Sequence, residues 1–406
     1  MNKPHSPDAL DGVRVLELGT TIAGPFCARL LADFGAEVIK IEALDGDPLR
    51  LAGRHFDGHS LYAKSLMRNK KLAAIDLRSP DGQDLVRRLV RKCDVVVENF
   101  RPGTLEKWGL GYSDLKKVKP DIVMVRISGY GQDGPYSARP GYGVVSEAMS
   151  GLRYLNGEPG RPPVRVNLAL TDYITGLYAA FGTMLALRHR DRTGKGQYVD
   201  TALYECAFSF LESHIVSYDK LGVVAQPTGP ALANSAVNNL FLTSDGIHVH
   251  IQGSQTNGFR RLVVAMGQEN LLDDTRFNTR RERVKHAREI DAIVQEWVGT
   301  RTYAELQRSF MAHDVTFAPI YNVADIFSDP HYEARGMLPR VEDPDIGDLA
   351  VPAPVPRLSD TPGHVRHLGH EIGSDTRSIL MDLAEISSER LAQLESDSIV
   401  RCANKT

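Results

Sequence analysis

The apolar positions of this chain fall first into short continuous runs and only later into helical spacing. Residues 13–19, VRVLELG, predict a buried strand. Gly24-Pro25 opens a helix, PFCARLLADFG, which Gly35 ends. EVIKIE (37–42) is the next strand and completes a βαβ start of about thirty residues. LAAIDL (72–77) predicts a third strand. Residues 80–91 form an amphipathic helix with Leu85, Val86, Leu89 and Val90 apolar. DVVVENF (94–100) is a fourth strand, continuous in Val at its centre as buried parallel strands are. RPGTLEKWGL and YSDLKKVKP make a short helical excursion before a fifth strand, DIVMVRISGYG (121–131). This alternation predicts an α/β fold with a doubly wound parallel sheet. Ligands of such sheets lie beyond the carboxyl ends of the strands, here Asn99-Phe100-Arg101 and Ser128-Gly129-Tyr130. The turn after the first strand, GTTIAGP, is not GxGxxG, which disfavours a nicotinamide or flavin site.

Residues 132–163 are rich in proline and glycine and read as loop around one short helix, VVSEAMSG. After a central helix come the turn and strand of RTGKGQYVDTAL and a long helix over 204–221. QPTGPALANSAVNN (226–239) is a linker by composition. A smaller α+β unit then spans 226–330. It has two strands around Ser244-Asp245-Gly246, helices near 257–267, 285–298 and 302–312, and the apolar FAPIYNV. A proline-dotted tail (339–362) and a last helix (387–394) follow. The expected division is therefore 1–225 with 331–406 as the large domain, and 226–330 as the small one.

The helix after residue 170 carries the candidate chemistry. Behind Thr171 and Asp172, Gly176, Ala179, Ala180 and Thr183 recur at helical spacing and make a face of very small side chains, which lets another backbone approach. One carboxylate, Asp172, is left at the mouth of an otherwise apolar helix. It reads as a helix cap or as a nucleophile, since a helix N-terminus favours the ionised form that attacks. Residue type alone does not choose between them.

Composition narrows the classes. The net charge of −3 implies no nucleic-acid partner, and no run approaches the roughly 18 apolar residues of a membrane span. The opening MNKPHSPDALDG lacks a signal-peptide core. Cys27, Cys93, Cys206 and Cys402 form no CxxC pair, which fits a reducing, cytoplasmic setting. His248 and His250 share a strand face without a third metal ligand nearby. His364, His367 and His370 read as a flexible polar loop, and the Arg276–Lys285 run, interrupted by Glu282, as a solvated helix face. There is no GxSxG elbow, P-loop or HExxH. Cations at turns of the first domain, Arg50, Lys70, Lys71, Arg78, Arg101, Lys107 and Arg139, are candidate phosphate holders if they meet at one sheet edge.

Several segments together carry a resemblance. LDGVRVLELGTTIAGPFCARLLADFGAEVIKIE, RNKKLAAIDL, VVVENFRPGTLEKWGL, ISGYGQDGPY, RPGY, LALTDYITGLYAAFGTMLALRHRDRTGKGQYVD and FAPIYNVADIFSDPHYEARGM occur in this order. The chain thereby resembles the class III CoA-transferases, the formyl-CoA transferase and carnitine CoA-transferase family, from Leu10 to about residue 400. The resemblance implies a Rossmann-like CoA-binding domain, an interlocked homodimer, acyl-CoA and small carboxylic acid substrates, and no metal. It implies that Asp172 attacks the thioester and passes through aspartyl anhydride and aspartyl-CoA intermediates. It places CoA contacts at Ile22 and Ala23, at Ile75, Asp76, Leu77 and Arg78, at Asn99, Phe100 and Arg101, at Lys107, and at Arg139 and Tyr142.

The chain also departs from the formyl-CoA transferases. Ala43 stands where they carry an arginine, with Arg50 as the candidate replacement. Gly143 replaces the acidic residue after RPGY, and Gln252-Gly253-Ser254-Gln255 is the nearest material to their glycine-rich flap. These changes argue against formyl or oxalyl specificity. The rival within the fold, a 2-methylacyl-CoA racemase, uses a histidine where Gly141-Tyr142-Gly143 stands here, so one of its two bases is missing. A non-catalytic CoA-binding protein is the third reading, against which the intact Asp172 speaks.

Overall fold

The computed structural model describes residues 8–403, so the first seven residues of the polar N-terminus lie outside the described residues. The chain divides into two compact units. The larger runs up to Leu152, through Val166–Ile215, and from Ala334 onward; the smaller comprises Arg153–Arg165 and Val216–Glu333. Residues 153–165, 216–225 and 331–333 therefore fall in the smaller unit, not in the large domain to which the sequence assigned them. The excursion at 153–165 is tied there by Gly229 N donating to Gly157 O at 2.9 Å and by the Tyr154 hydroxyl donating to Gln226 Oε1 at 3.1 Å.

The larger unit is built on a seven-stranded sheet: β1 Arg14–Glu17, β2 Glu37–Glu42, β3 Lys70–Ile75, β4 Val95–Glu98, β5 Val123–Ser128, β6 Tyr198–Ala202 and β7 Val400–Arg401. The order is β7-β3-β2-β1-β4-β5-β6, parallel throughout except β7, which runs antiparallel to β3. Successive residues point to opposite faces, and each face has its own core. Leu16, Ile39, Ile75, Val96 and Met124 pack on one side with Leu85 and Leu89 of helix Pro80–Val90 and with Leu391 and Leu394 of helix Ser388–Ser396. Val15, Val38, Val95, Val97 and Val125 pack on the other with helices Ala23–Asp33 and Leu170–Thr193. Burial on both faces explains why the strands read as continuous apolar runs. The order reverses between β1 and β4, the position beyond whose carboxyl ends parallel sheets of this kind bind their ligands.

The smaller unit is an antiparallel sheet of Phe317–Pro319, His248–Gln252 and Asn238–Leu242. Helices Thr256–Met266, Ala287–Gly299 and Tyr303–Ala312 contribute Phe259, Leu262, Val294 and Phe310 to its core. Thr302 and Glu305 form a reciprocal capping box at the last of these. His250 Nε2 bonds Asn238 Oδ1 at 2.8 Å. Among the described residues no group of three or more His, Cys, Asp or Glu side chains is arranged to hold a metal, and no helix is long and apolar enough to cross a membrane.

Several elements differ from the sequence reading. The helix expected over 204–221 is broken: Leu203–Phe208 gives way to a tight turn at Ser209–Leu211 before Glu212–Leu221. Ser209 Oγ donates to Cys206 O at 2.7 Å, a local bond that competes with regular helix. The proline-dotted tail holds a hairpin, Arg340–Asp343 with Gly347–Ala350. The histidine loop near 367 is anchored, with Gly369 N donating to Lys64 O at 2.8 Å and His367 stacked on His370 at 4.5 Å.

Candidate active site

Asp172 is the third residue of helix Leu170–Thr193, in its first turn. The N-cap position is Ala169 and makes no side-chain cap bond, so Asp172 is not the cap residue. Its carboxylate is half-buried. Burial pushes its pKa up to about 6, while a bond from its own backbone N–H pulls the other way. At pH 7 roughly nine-tenths of it is ionised and able to attack.

Small residues place this carboxylate. Gly176, Ala179, Ala180 and Thr183 are buried against helix Ala23–Asp33. A Cβ on Gly176 would lie 2.8 Å from Ala23 O, so the two helix backbones approach closely at that point. Gly143 is more demanding: a Cβ there would lie 2.0 Å from Asp172 Oδ2. Thr171 Oγ1 donates to Gly143 O at 2.7 Å and fixes this contact. The seat is tied to the sheet, because a Cβ on Gly129, just beyond β5, would lie 2.7 Å from Gly141 Cα. A side chain at position 143 would thus displace the Asp172 carboxylate from where it stands.

Aromatic side chains flank the carboxylate. Tyr173 packs edge-on to Phe26 with centroids 4.7 Å apart, and its hydroxyl bonds that of Tyr62 at 2.7 Å. Burial, the Tyr173 hydrogen bond and the charges of Tyr173 and Asp172 together push the Tyr62 hydroxyl well above the ordinary phenol range. Nothing in the sequence signals Tyr62, because 111 residues separate it from Tyr173.

The turn after β1 is held by buried charge. Lys40 Nζ donates to Glu17 Oε1 at 2.9 Å and Gly19 O at 2.8 Å, and pairs with Asp47 Oδ2 at 2.8 Å. Lys70 Nζ donates to Glu17 Oε2 at 2.6 Å and Pro25 O at 2.7 Å. Asp47 Oδ1 accepts from Thr21 N at 3.0 Å, holding Thr21 in a left-handed conformation at φ 66°. Asn99, beyond β4, holds the same turn: Oδ1 accepts from Thr20 N and Nδ2 donates to Thr20 O, each at 2.8 Å.

The residues expected to hold CoA fall on loops at the carboxyl ends of the strands. Ile22 and Ala23 enter helix Ala23–Asp33 directly after the latched turn. Ile75 ends β3 and is buried, Asp76 Oδ1 accepts from Arg78 N at 3.0 Å, Leu77 packs on the core, and Arg78 is exposed. Beyond β4, Phe100 N donates to Glu98 Oε2 at 2.8 Å and its ring packs on Trp108, while Arg101 and Lys107 are exposed. Arg139 lies 3.6 Å over the ring of Tyr136, and Tyr142, at 70% exposure, precedes the helix of Gly143. The structure joins Asn99 to the β1 turn and Tyr142 to the seat of Asp172. Among the described residues no hydrogen bond or ion pair links Asp172 to Arg78, Arg101, Lys107 or Arg139. None of these four cations is ion-paired there.

Three other cations are not available for phosphate. Arg50 donates to both oxygens of Glu42 at 2.7 Å, so it is already clamped and is no replacement for the arginine missing at Ala43. Lys70 is buried in the charge network and Lys71 pairs with Glu37 at 2.6 Å. A buried charge needs a partner, and the fold supplies these internally.

Known proteins resemble this chain along nearly its whole length. Residues 10–376 match the sequence profile of CoA-transferase family III. The chain is 44% identical to the succinyl-CoA–D-citramalate CoA-transferase of Chloroflexus aurantiacus, over 98% of this chain and 100% of that protein. It is 33% identical to the human succinyl-CoA:glutarate CoA-transferase, over 96% of this chain and 90% of that protein. The crystal structure of a CaiB/BaiF family protein from Brucella suis superposes with a TM-score of 0.82 at 34% identity, over 93% of this chain and 100% of the other. A family profile over residues 10–376 and relatives matched along almost their whole lengths lead to one conclusion: the chain belongs to CoA-transferase family III and is a class III CoA-transferase.

Proposed function

We propose that the protein moves CoA from succinyl-CoA to a free dicarboxylic acid, with Asp172 as the covalent carrier. The supporting observation is the Asp172 carboxylate seated against Gly143, in a chain whose relatives transfer CoA from succinyl-CoA to citramalate or glutarate. An Asp172 oxygen attacks the thioester carbonyl, the C–S bond breaks, and CoA leaves as thiolate. The thiolate then attacks the Asp172 acyl carbon of the mixed anhydride, succinate departs as a carboxylate, and an aspartyl-CoA thioester remains. The acceptor carboxylate attacks this thioester and expels CoA thiolate. The thiolate attacks the acceptor acyl carbon and frees Asp172. No net proton is consumed, so a carboxylate largely ionised at pH 7 suffices.

Arg78, Arg101, Lys107 and Arg139 are suited to the phosphates of CoA, being exposed cations on the segments that follow β3, β4 and β5, with Lys107 at the end of the short helix Thr104–Lys107. The domain is read as a doubly wound, Rossmann-like CoA-binding domain in an interlocked homodimer. The apolar outer side of helix Leu170–Thr193 supports the dimer: Leu177, Phe181 and Leu185 are 59%, 59% and 55% exposed. Four cysteines without a disulfide suit a reducing compartment, the cytoplasm. The test is incubation of purified protein with succinyl-CoA and a panel of acids, with acyl-CoA products separated by chromatography. New thioesters of citramalate, malate or glutarate are expected; hydrolysis alone, or no turnover, refutes the reading.

A further inference from the structure

Arg29 is a cation that the fold leaves short of partners. It stands on helix Ala23–Asp33 with its side chain 13% exposed and its guanidinium 4.6 Å over the Phe26 ring. Its Nε is buried without a hydrogen-bond partner. The paired carboxylate, Asp33, lies 3.7 Å from Nε and is already engaged. Asp33 accepts from Arg68 at 3.0 and 2.7 Å and from Asn69 at 2.8 Å. Two guanidinium groups thus share one carboxylate in a largely desolvated place, leaving a net positive charge. Burial and the neighbouring Arg68 lower the pKa of Arg29 to about 10, so it remains a cation at pH 7. A desolvated guanidinium with free donors is matched best by a carboxylate.

A line of contacts leads from Arg29 to Asp172. Phe26, under the guanidinium, packs edge-on to Tyr173, the residue after Asp172. The Tyr173 and Tyr62 hydroxyls share one proton in their 2.7 Å bond, which leaves the other free for an outside acceptor. Tyr62 feels both the negative charge of Asp172 and the positive charge of Arg29. Phe26, Arg29, Tyr62, Asp172 and Tyr173 are each half-buried, so all five reach the surface.

We propose that Arg29, with the free hydroxyl of the Tyr62–Tyr173 pair, holds the second carboxylate of a dicarboxylic acid whose first carboxylate reacts at Asp172. This rests on the CoA-transfer reading above and adds the residue that selects diacids over monoacids. A monocarboxylate leaves Arg29 unpaired. Arg29 does no chemistry, so it acts on the binding of the acid and not on the turnover of bound acid.

The test compares succinate with butyrate as acceptors, with saturating glutaryl-CoA as donor so that both product thioesters are new, using the full-length protein and the variants R29M and R29K. R29M is expected to raise KM for succinate on the order of tenfold to hundredfold. Its kcat for succinate and its KM for butyrate should stay near the parent values. R29K, which keeps the charge and loses the fork, should fall between. An unchanged KM for succinate in both variants, or equal losses for both acids, overturns the proposal. Thermal shift gives a readout that does not need transfer: millimolar succinate should raise the Tm of the parent but of neither variant, and butyrate should not. If parent and variants respond alike to succinate, the Arg29 subsite is wrong. If the parent transfers CoA to no acid yet responds to succinate through Arg29, the transfer reading fails and the subsite stands.

Discussion

Asp172 should destabilise the fold that carries it. Its ordinary pKa is 3.8 and burial raises it to about 6. Well below pH 3.8 the carboxyl is protonated in folded and unfolded chains alike, and its ionisation costs nothing. As pH rises from 4 through 6 the unfolded chain releases its proton first, so the folded state is progressively penalised. Above about pH 6 the penalty is complete, about 3 kcal/mol at ~1.4 kcal/mol for each pH unit between the two values. Residual exposure of the carboxylate trims this to about 2–3 kcal/mol. Asp172→Asn keeps the shape and removes the charge. The variant should therefore be inactive yet more stable than the parent at pH 7 by about that amount. The gain should shrink to about half of that at pH 5 and to a small fraction of it at pH 4. Urea unfolding of both proteins at these three pH values measures it. A difference that does not vary with pH, or a variant less stable at pH 7, would show that burial does not set the charge of this group.

Three further outcomes follow from the same geometry. Gly143→Ala puts a Cβ 2.0 Å from Asp172 Oδ2, so the carboxylate must swing away. Transfer should fall on the order of hundredfold with the circular dichroism spectrum unchanged, and a near-parent rate would contradict the seat. Asn99→Ala removes both bonds to Thr20 and should cost about 1–3 kcal/mol while raising KM for succinyl-CoA severalfold, measured by urea midpoint and initial rates. Light scattering at micromolar concentration should give about twice the mass of one chain; a stable monomer would refute the homodimer.

Much of the larger unit was legible because its parallel strands are covered on both faces and so read as unbroken valine and isoleucine runs. Strand β7 was not, since Val400 and Arg401 are too short to show a period. The helix of Asp172 was legible, and so was its small face, which depends on spacing alone. Its role was not, because an aspartate at a helix mouth suits a cap as well as a nucleophile; only the succession of family-like segments tilted the reading. Lys70 shows the opposite error. At a turn it read as a phosphate holder, but it is buried, and its partners Glu17 and Pro25 are brought to it by the sheet. Tyr62, Phe26 and Arg29 belong to distant segments that meet only in the folded chain, and no local pattern announces such a meeting.

The central claim is that Asp172 carries the acyl group and then CoA. Its most direct test is covalent trapping: the protein is mixed with succinyl-CoA, quenched with hydroxylamine or borohydride, digested and mapped by mass spectrometry. The modification is expected on the peptide containing Thr171-Asp172-Tyr173, at the Asp172 carboxylate, and is expected to vanish in Asp172→Ala. Asp172 is not the cap residue of its helix and its charge is buried, so removing the carboxylate should leave that variant folded. A label on another carboxylate, or a folded Asp172→Ala protein that transfers CoA at near the parent rate, would contradict the mechanism.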